Sequence, residues 1–152
     1  MNDPVRLVVF ILDGQRYALL LSAVERVVRA VEVTPLPGAP KIVLGIINVG
    51  GLIVSVVDIR KRFQLPEKEM NVNDHLIIAR TARRMVALLA DSVSTTVEVP
   101  AGEITRSSKI LPHMEYVDGV AKLENGMVLI HDLDKFLSLE EEEMLDEVMA
   151  QS

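Results

Sequence analysis

The chain has no cysteine and no tryptophan, and aromatic residues fill only 3% of its 152 positions. Without cysteine there is no disulfide, no zinc–thiolate site and no thiol nucleophile, and a reducing compartment is compatible with that. With so few aromatics the core must be Val, Ile and Leu, which favours strands over aromatic-anchored pockets. No apolar run approaches the ~18 residues that a membrane-spanning helix needs, so direct membrane insertion is not expected. Met1-Asn2-Asp3-Pro4 has neither a basic start nor a small-residue cleavage site, so it does not read as a signal peptide, and a cytoplasmic protein is the expectation. Basic stretches are short and without interleaved aromatics (Arg60-Lys61-Arg62, and Arg80 with Arg83-Arg84), so no nucleic-acid partner is expected. The net charge of −6 is a terminal feature: residues 1–139 hold all 16 Lys and Arg and 16 of the 22 Asp and Glu. The remaining acids are Glu140 to Glu143, Asp146 and Glu147.

What is present is a series of short β-branched runs between turn residues. Val5 to Leu12 and Arg16 to Leu21 flank Asp13-Gly14, a hairpin signal. Ser22 reads as the N-cap of a short turn at Ala23-Val24-Glu25, followed by a strand from Val27 to Val33. The three prolines of 34–40 make that segment a loop. Strands near 43–49 and 52–58 surround Val49-Gly50-Gly51, where Asn48 and the paired glycines suit a tight hairpin. Both runs are apolar enough to predict burial on both faces. Ile59 to Phe63 reads as one helical turn and 67–73 as a polar link. Further strands follow at 75–81, 85–90, 93–99, 117–123 and 127–131, with 101–115 irregular. From Asp132 the apolar spacing becomes helical, so 132–149 reads as one or two helices. About ten strands with no alternating helices predict a mainly β domain of small barrels or a sandwich. The link divides the strands into two groups, but no repeat is evident in the residues.

Chemistry is hard to place on this chain. His131-Asp132 is adjacent to no serine motif, whether Ser55 or Ser107 is considered, and neighbours on a strand face opposite sides. His75, His113 and His131 lack metal-ligand spacing, and no Gly-Lys-Ser/Thr follows Gly50-Gly51. The reading is a protein that is not an enzyme and carries no cofactor. Gly45, inside an apolar run, marks a bulge or a close backbone approach. Val24 and Val27 read as core by periodicity alone. The acidic tail reads as a helix packing a narrow apolar stripe, its acids near the positive N-terminus.

The order of hairpin, Val-rich turn, proline loop, Val-x-Gly-x-Ile-Asn, apolar strand and Asp-hydrophobic-Arg resembles the CheW family of chemosensory adaptors, from about Val5 to Leu137. Its most specific part is Gly45 to Arg60, where the family's usual form is Gly-x-x-Asn-Leu-Arg-Gly, a strand and Asp-Leu-Arg. The resemblance implies one domain of two intertwined five-stranded barrels, each similar to Src-homology-3 domains, sharing a hydrophobic core and ending in a C-terminal helix. The approximate halves are 1–66 and 67–131, with the N-terminal strand crossing over and 132–149 helical. It also implies a non-catalytic scaffold that couples the cytoplasmic tip of methyl-accepting chemoreceptors to the regulatory domain of the histidine kinase CheA, recruited to membrane-associated receptor arrays. The alternative is a divergent CheW-like peptide- or ligand-binding module in a non-motility two-component pathway. By resemblance, receptor-side residues are Val24, Arg26, Val27, Gly45, Asn48, Gly50 and Gly51. Two of them depart from the family: Gly50 stands where an arginine is usual, and Arg26 where Val-x-Glu-Ile has its acid. Charge at an interface rim governs partner choice more than affinity. The double substitution Arg26→Glu with Gly50→Arg is therefore expected to change receptor recruitment in a pull-down while leaving the melting curve nearly unchanged.

Overall fold

The computed structural model describes residues 4–106, 117–123 and 126–150. Asp13 and Gly14 both take positive φ (53° and 78°), which matches the twist of two antiparallel strands and joins β1 (Val5–Leu12) to β2 (Gln15–Leu20). A single 3-10 turn at Leu21–Ala23 leads into β3 (Val24–Arg29), and the hairpin β4 (Val43–Val49) and β5 (Leu52–Val57) follows the proline loop. One helical turn, α1 (Ile59–Arg62), starts at Asp58, whose carboxylate accepts the Arg60 N–H. Next come β6 (His75–Arg80), β7 (Met85–Ala90), β8 (Ser92–Val99), β9 (Ile104–Arg106), β10 (Val117–Leu123), β11 (Gly126–His131) and α2 (Leu139–Ala150).

The ladders form two sheets, ordered β8-β1-β2-β11-β10-β9 and β3-β6-β7-β5-β4. Each is built the same way: two antiparallel units joined by one parallel pair, β2 with β11 and β5 with β7. The sheets therefore do not divide at residue 66. Hairpin β1–β2 belongs with β8 to β11, and hairpin β6–β7 belongs with β3 to β5. Each half of the chain lends its first hairpin to the other half, which is how the two small β modules are intertwined. In the second sheet the chain beyond β3 crosses to β4, where Thr34 and Ile46 exchange two backbone hydrogen bonds of 2.9 and 2.8 Å.

This topology exposes a repeat that the residues alone did not reveal. Val43-Leu44-Gly45 and Val117-Asp118-Gly119 both carry a register shift at the glycine. Both glycines face a threonine backbone oxygen, of Thr34 and of Thr105. Asp58 and Asp132, at the same separation in sequence, each cap the next turn through a side-chain oxygen. The residues around these positions differ between the halves, while the backbone features are shared.

Other boundaries differ from expectation for reasons of pairing. The turn at 21–23 has no side-chain cap from Ser22, and the strand after it starts at Val24 rather than Val27, because β6 supplies partners only for 24–29. Leu52 and Ile53, expected to be buried, are 49% and 45% exposed at the hairpin tip, beyond the last strand that covers them. Within 101–115 the structure adds a 3-10 turn at Ala101–Glu103 and β9, paired to β10, while 107–116 and the Glu124-Asn125 turn lie outside the described residues. The segment 132–149 splits into a 3-10 turn at Leu133–Lys135 and α2.

Three apolar clusters result. One fills the first module (Leu7, Val9, Ala18, Ile130) and one the second (Ile47, Val54, Leu76, Ile78). The largest lies between them, drawing on both sheets and on Phe136, Leu137 and Leu145. The scarce aromatics gather here: Phe63 stacks on His131 at 4.3 Å and on Tyr17 at 5.3 Å, with Phe136 edge-on at 5.7 Å. Among the described residues no helix is long and apolar enough to cross a membrane. A Cβ at Gly45 would lie 2.2 Å from the Thr34 carbonyl oxygen. Gly45→Ala must therefore break the Thr34–Ile46 bridge, and urea titration is expected to show a loss of about 3 kcal/mol or more.

Candidate functional site

β3 lies at one edge of the second sheet. Val24 pairs with Ala79 and packs against the shared core. The ladder then slips at Glu25, so Arg26 faces Ile78 and Val27 faces Ile77. Arg26 and Val27 are exposed, Val27 to 39%, so Val27 is not core as periodicity suggested. The acid of this segment is Glu25, which meets Arg80 at 3.5 Å.

The β4–β5 turn is fixed by local chemistry. The Asn48 Oδ1 accepts the Gly51 N–H at 2.8 Å, and Gly50 and Gly51 take φ of 58° and 91°. A Cβ at either glycine would meet nothing within 4 Å, so conformation and not space demands glycine there. Arginine at position 50 would have to sit in the left-handed region, at a cost of about 1 kcal/mol. This corrects the expectation that Gly50→Arg leaves stability nearly unchanged.

Val24, Ala79, Val86, Ser55 and Ile46 are successive ladder partners. The start of β3 and the 48–51 turn therefore occupy the same end of the sheet. Only the start of β3 lies toward the turn: Arg26 and Val27 fall on the ladder rows of Gly45 and Val43, away from Asn48, Gly50 and Gly51, and β3 and β4 are the two ends of the strand order. Gly45 is no part of the exposed surface: it is buried against Thr34 and serves the fold. Beside β3 a cleft of about 160 Å³ opens between the modules, with Leu19, Leu20, Ala23 and Leu133 on its apolar side and Arg80, His131, Asp132 and Asp134 on its polar side. Leu20, Arg80, Leu52 and Ile53 are surface residues of this end that sequence reasoning missed. An apolar residue near a turn carries no sign of whether another strand will cover it.

The relative position of the modules rests on Arg60. Its guanidinium is 6% exposed and binds both oxygens of Asp91 at 2.8 and 2.7 Å, with a further bond of 3.0 Å to the Pro66 carbonyl. Asp91 joins β7 to β8 and also accepts the N–H of Asp13, in the β1–β2 turn, at 2.8 Å. Lys68 reaches Asp91 at 3.3 Å and Asp74 at 3.1 Å. Burial by itself would raise the Asp91 carboxyl, but the bonds from Arg60, the Asp13 N–H and Lys68 outweigh it and hold the group below its ordinary value. Asp58 goes the other way: burial raises it, against the Arg60 N–H and nearby Lys61.

α2 is secured with similar economy. Ser138 and Glu141 form a reciprocal cap, with the Glu141 N–H donating to Ser138 Oγ at 3.2 Å and the Ser138 N–H donating to Glu141 Oε1 at 2.7 Å. Leu145 is fully buried, Val148 meets Gly38 of the proline loop, and Glu142 accepts from Arg84 at 3.1 Å. Asp146 also pairs with Arg84, and Glu141 with Arg62. The acidic run therefore supplies specific anchors to the second module as well as a solvated face.

Two β modules with exchanged hairpins, a shared core and an exposed end of small and apolar residues define an adaptor-type binding domain. A model of the CheW-like domain matches residues 6–141, and the chain belongs to the CheW family. It is 31% identical over 144 residues to "Chemotaxis protein CheW" of Rhizobium meliloti (strain 1021), covering 93% of each chain. It is 27% identical over 137 residues to the protein of that name from Bacillus subtilis (strain 168), covering 89% of this chain and 88% of the other. The crystal structure of scaffolding protein TtCheW from Thermoanaerobacter tengcongensis superposes with a TM-score of 0.85 at 28% identity, covering 94% of this chain and 99% of that one.

The Arg60 cluster sets an acid limit. Because the folded Asp91 carboxyl lies below its unfolded value of 3.8, its stabilisation is fully present above that value and is lost as pH falls from there through the lower folded value. Asp91→Asn is expected to destabilise the protein by about 3 kcal/mol at neutral pH, since it strands a buried guanidinium. It is also expected to flatten the stability loss below about pH 4. Chemical denaturation across that window measures both.

Proposed function

We propose that this protein is a non-catalytic scaffolding adaptor that holds a chemoreceptor tip and the regulatory domain of the kinase CheA in one assembly. The observation that carries the receptor side is the exposed edge strand β3 with the cleft that opens beside it. There Val24, Val27 and the cleft at Leu20 leave room for a helix to approach closely. A helix tip docked in an apolar groove needs this kind of small, shape-matched lining. The kinase side would use the strands of the first module, where Met127 on β11 is exposed. Family membership and the similarity to the Thermoanaerobacter scaffolding protein support the reading.

Signalling on this reading is geometric. The adaptor performs no reaction; it fixes the distance and angle between receptor and kinase, so that a receptor shift reaches the kinase. A rigid link between the two modules is then part of the function, and Arg60 with the shared core supplies it. The protein would reside in the cytoplasm, drawn to the membrane only through receptors. Purified protein is expected to bind the cognate CheA regulatory domain in a pull-down and in calorimetry. No association at tens of micromolar would sink the adaptor reading.

A further inference from the structure

The β3 edge carries uncompensated positive charge. Of the receptor-side residues taken from the sequence Arg26 is the only charged one, while Arg80, Asp132 and Asp134 line the cleft beside the strand. Arg6, Arg60, Arg62, Arg80, Arg83 and Arg84 each hold a carboxylate. Arg26 and Arg29, both exposed on β3, hold none among the described residues. Glu25, the nearest acid along the strand, is taken by Arg80, and Glu32 lies beyond the strand end. Val27 and Arg29 pair with Ile77 and His75, so they share the sheet face on which Val24 is packed, while Arg26 extends from the opposite face at the edge. The β3 edge thus presents Val27 and the Arg29 guanidinium on one face and the Arg26 guanidinium on the other, both cations solvated.

We infer that the segment received along β3 is an amphipathic helix whose polar flank is acidic, with Arg26 and Arg29 selecting it. The inference rests on the docking surface proposed above and adds what that surface selects. The physical reason is that solvated cations lose little by pairing with acids at a rim, whereas a basic helix laid along the β3 edge would bring like charges together. Arg29 is thereby assigned a specificity role with no part in the fold: it is exposed and makes no side-chain hydrogen bond or ion pair among the described residues.

The test uses the full 15N-labelled chain and two synthetic helical peptides with the same Leu/Ala face, one with Glu and one with Lys on its polar positions. The Glu peptide is expected to shift the amides of Val24 to Arg29, and to bind more weakly as salt rises from about 50 to about 300 mM. The double variant Arg26→Glu/Arg29→Glu is expected to lose about tenfold for the Glu peptide and to prefer the Lys peptide, with an unchanged melting curve. Equal binding of both peptides at β3 would overturn the charge selection and leave β3 docking standing. No shift at β3 with either peptide would overturn both, while the kinase pull-down judges the adaptor role separately. The chain also has its own acidic face, with Glu140, Glu143 and Glu147 exposed on α2. Salt-sensitive self-association that shifts β3 would name a second copy as occupant and overturn the partner helix.

Discussion

Arg60 is the point through which the two modules know each other's position. It stands on α1, just beyond the second module's β5, yet its carboxylate partner Asp91 begins the first module's β8 and also caps the Asp13 turn. A guanidinium this buried tolerates no vacancy: with its carboxylate removed, a charge would remain in a poorly hydrated place. Its Nη2 donates to both Asp91 oxygens and its Nη1 to the Pro66 carbonyl, so two anchors on different nitrogens orient the guanidinium. Next to it, Phe63, His131, Tyr17 and Phe136 fill the space between modules with flat rings. The apolar core supplies most of the favourable burial; the ion pair makes the arrangement single-valued.

The exchange of hairpins makes this clamp consequential. Because β1–β2 and β6–β7 each complete the other half's sheet, neither half has a finished core of its own. The parallel β2–β11 and β5–β7 pairs are long-range contacts that form only when both halves are present. α2 adds a final strap, running from the first module's last strand onto Arg84, Arg62 and Gly38 of the second. A scaffold benefits from such a body, since the two modules cannot drift apart while the core is intact. The exposed edge of the second module is built economically, from strand β3 and the cleft beside it.

The candidate site was partly legible in the residues. Asn48, Gly50 and Gly51 announced a turn, and the turn is where the chain placed it, because positive φ is a local demand. The Asp58-Ile59-Arg60 signature was visible, but the partner of Arg60 was not: Asp91 stands far along the chain with nothing local to mark it. Gly45 was visible as an anomaly with two readings, and the Thr34 carbonyl decides for the structural one. Val24 and Val27 could not be separated by pattern, since each is an apolar residue in a β-branched run. The register slip at Glu25 and the want of a covering strand leave one half-buried and the other exposed.

By itself the sequence determined what local stereochemistry and composition control. These are the strand-rich character, the hairpins at Asp13-Gly14 and Gly50-Gly51, the proline loop, the helical end, and the motif order that marks the family. Only the tertiary structure decided which hairpin joins which sheet, that the halves repeat, where the aromatics gather, and which carboxylate holds Arg60. It also decided that the Glu25 carboxylate is spent on Arg80 while Arg26 and Arg29 stay solvated. The division has one physical cause. Turns and propensities are settled by neighbours along the chain, whereas pairing, burial and charge compensation depend on groups brought close only by folding.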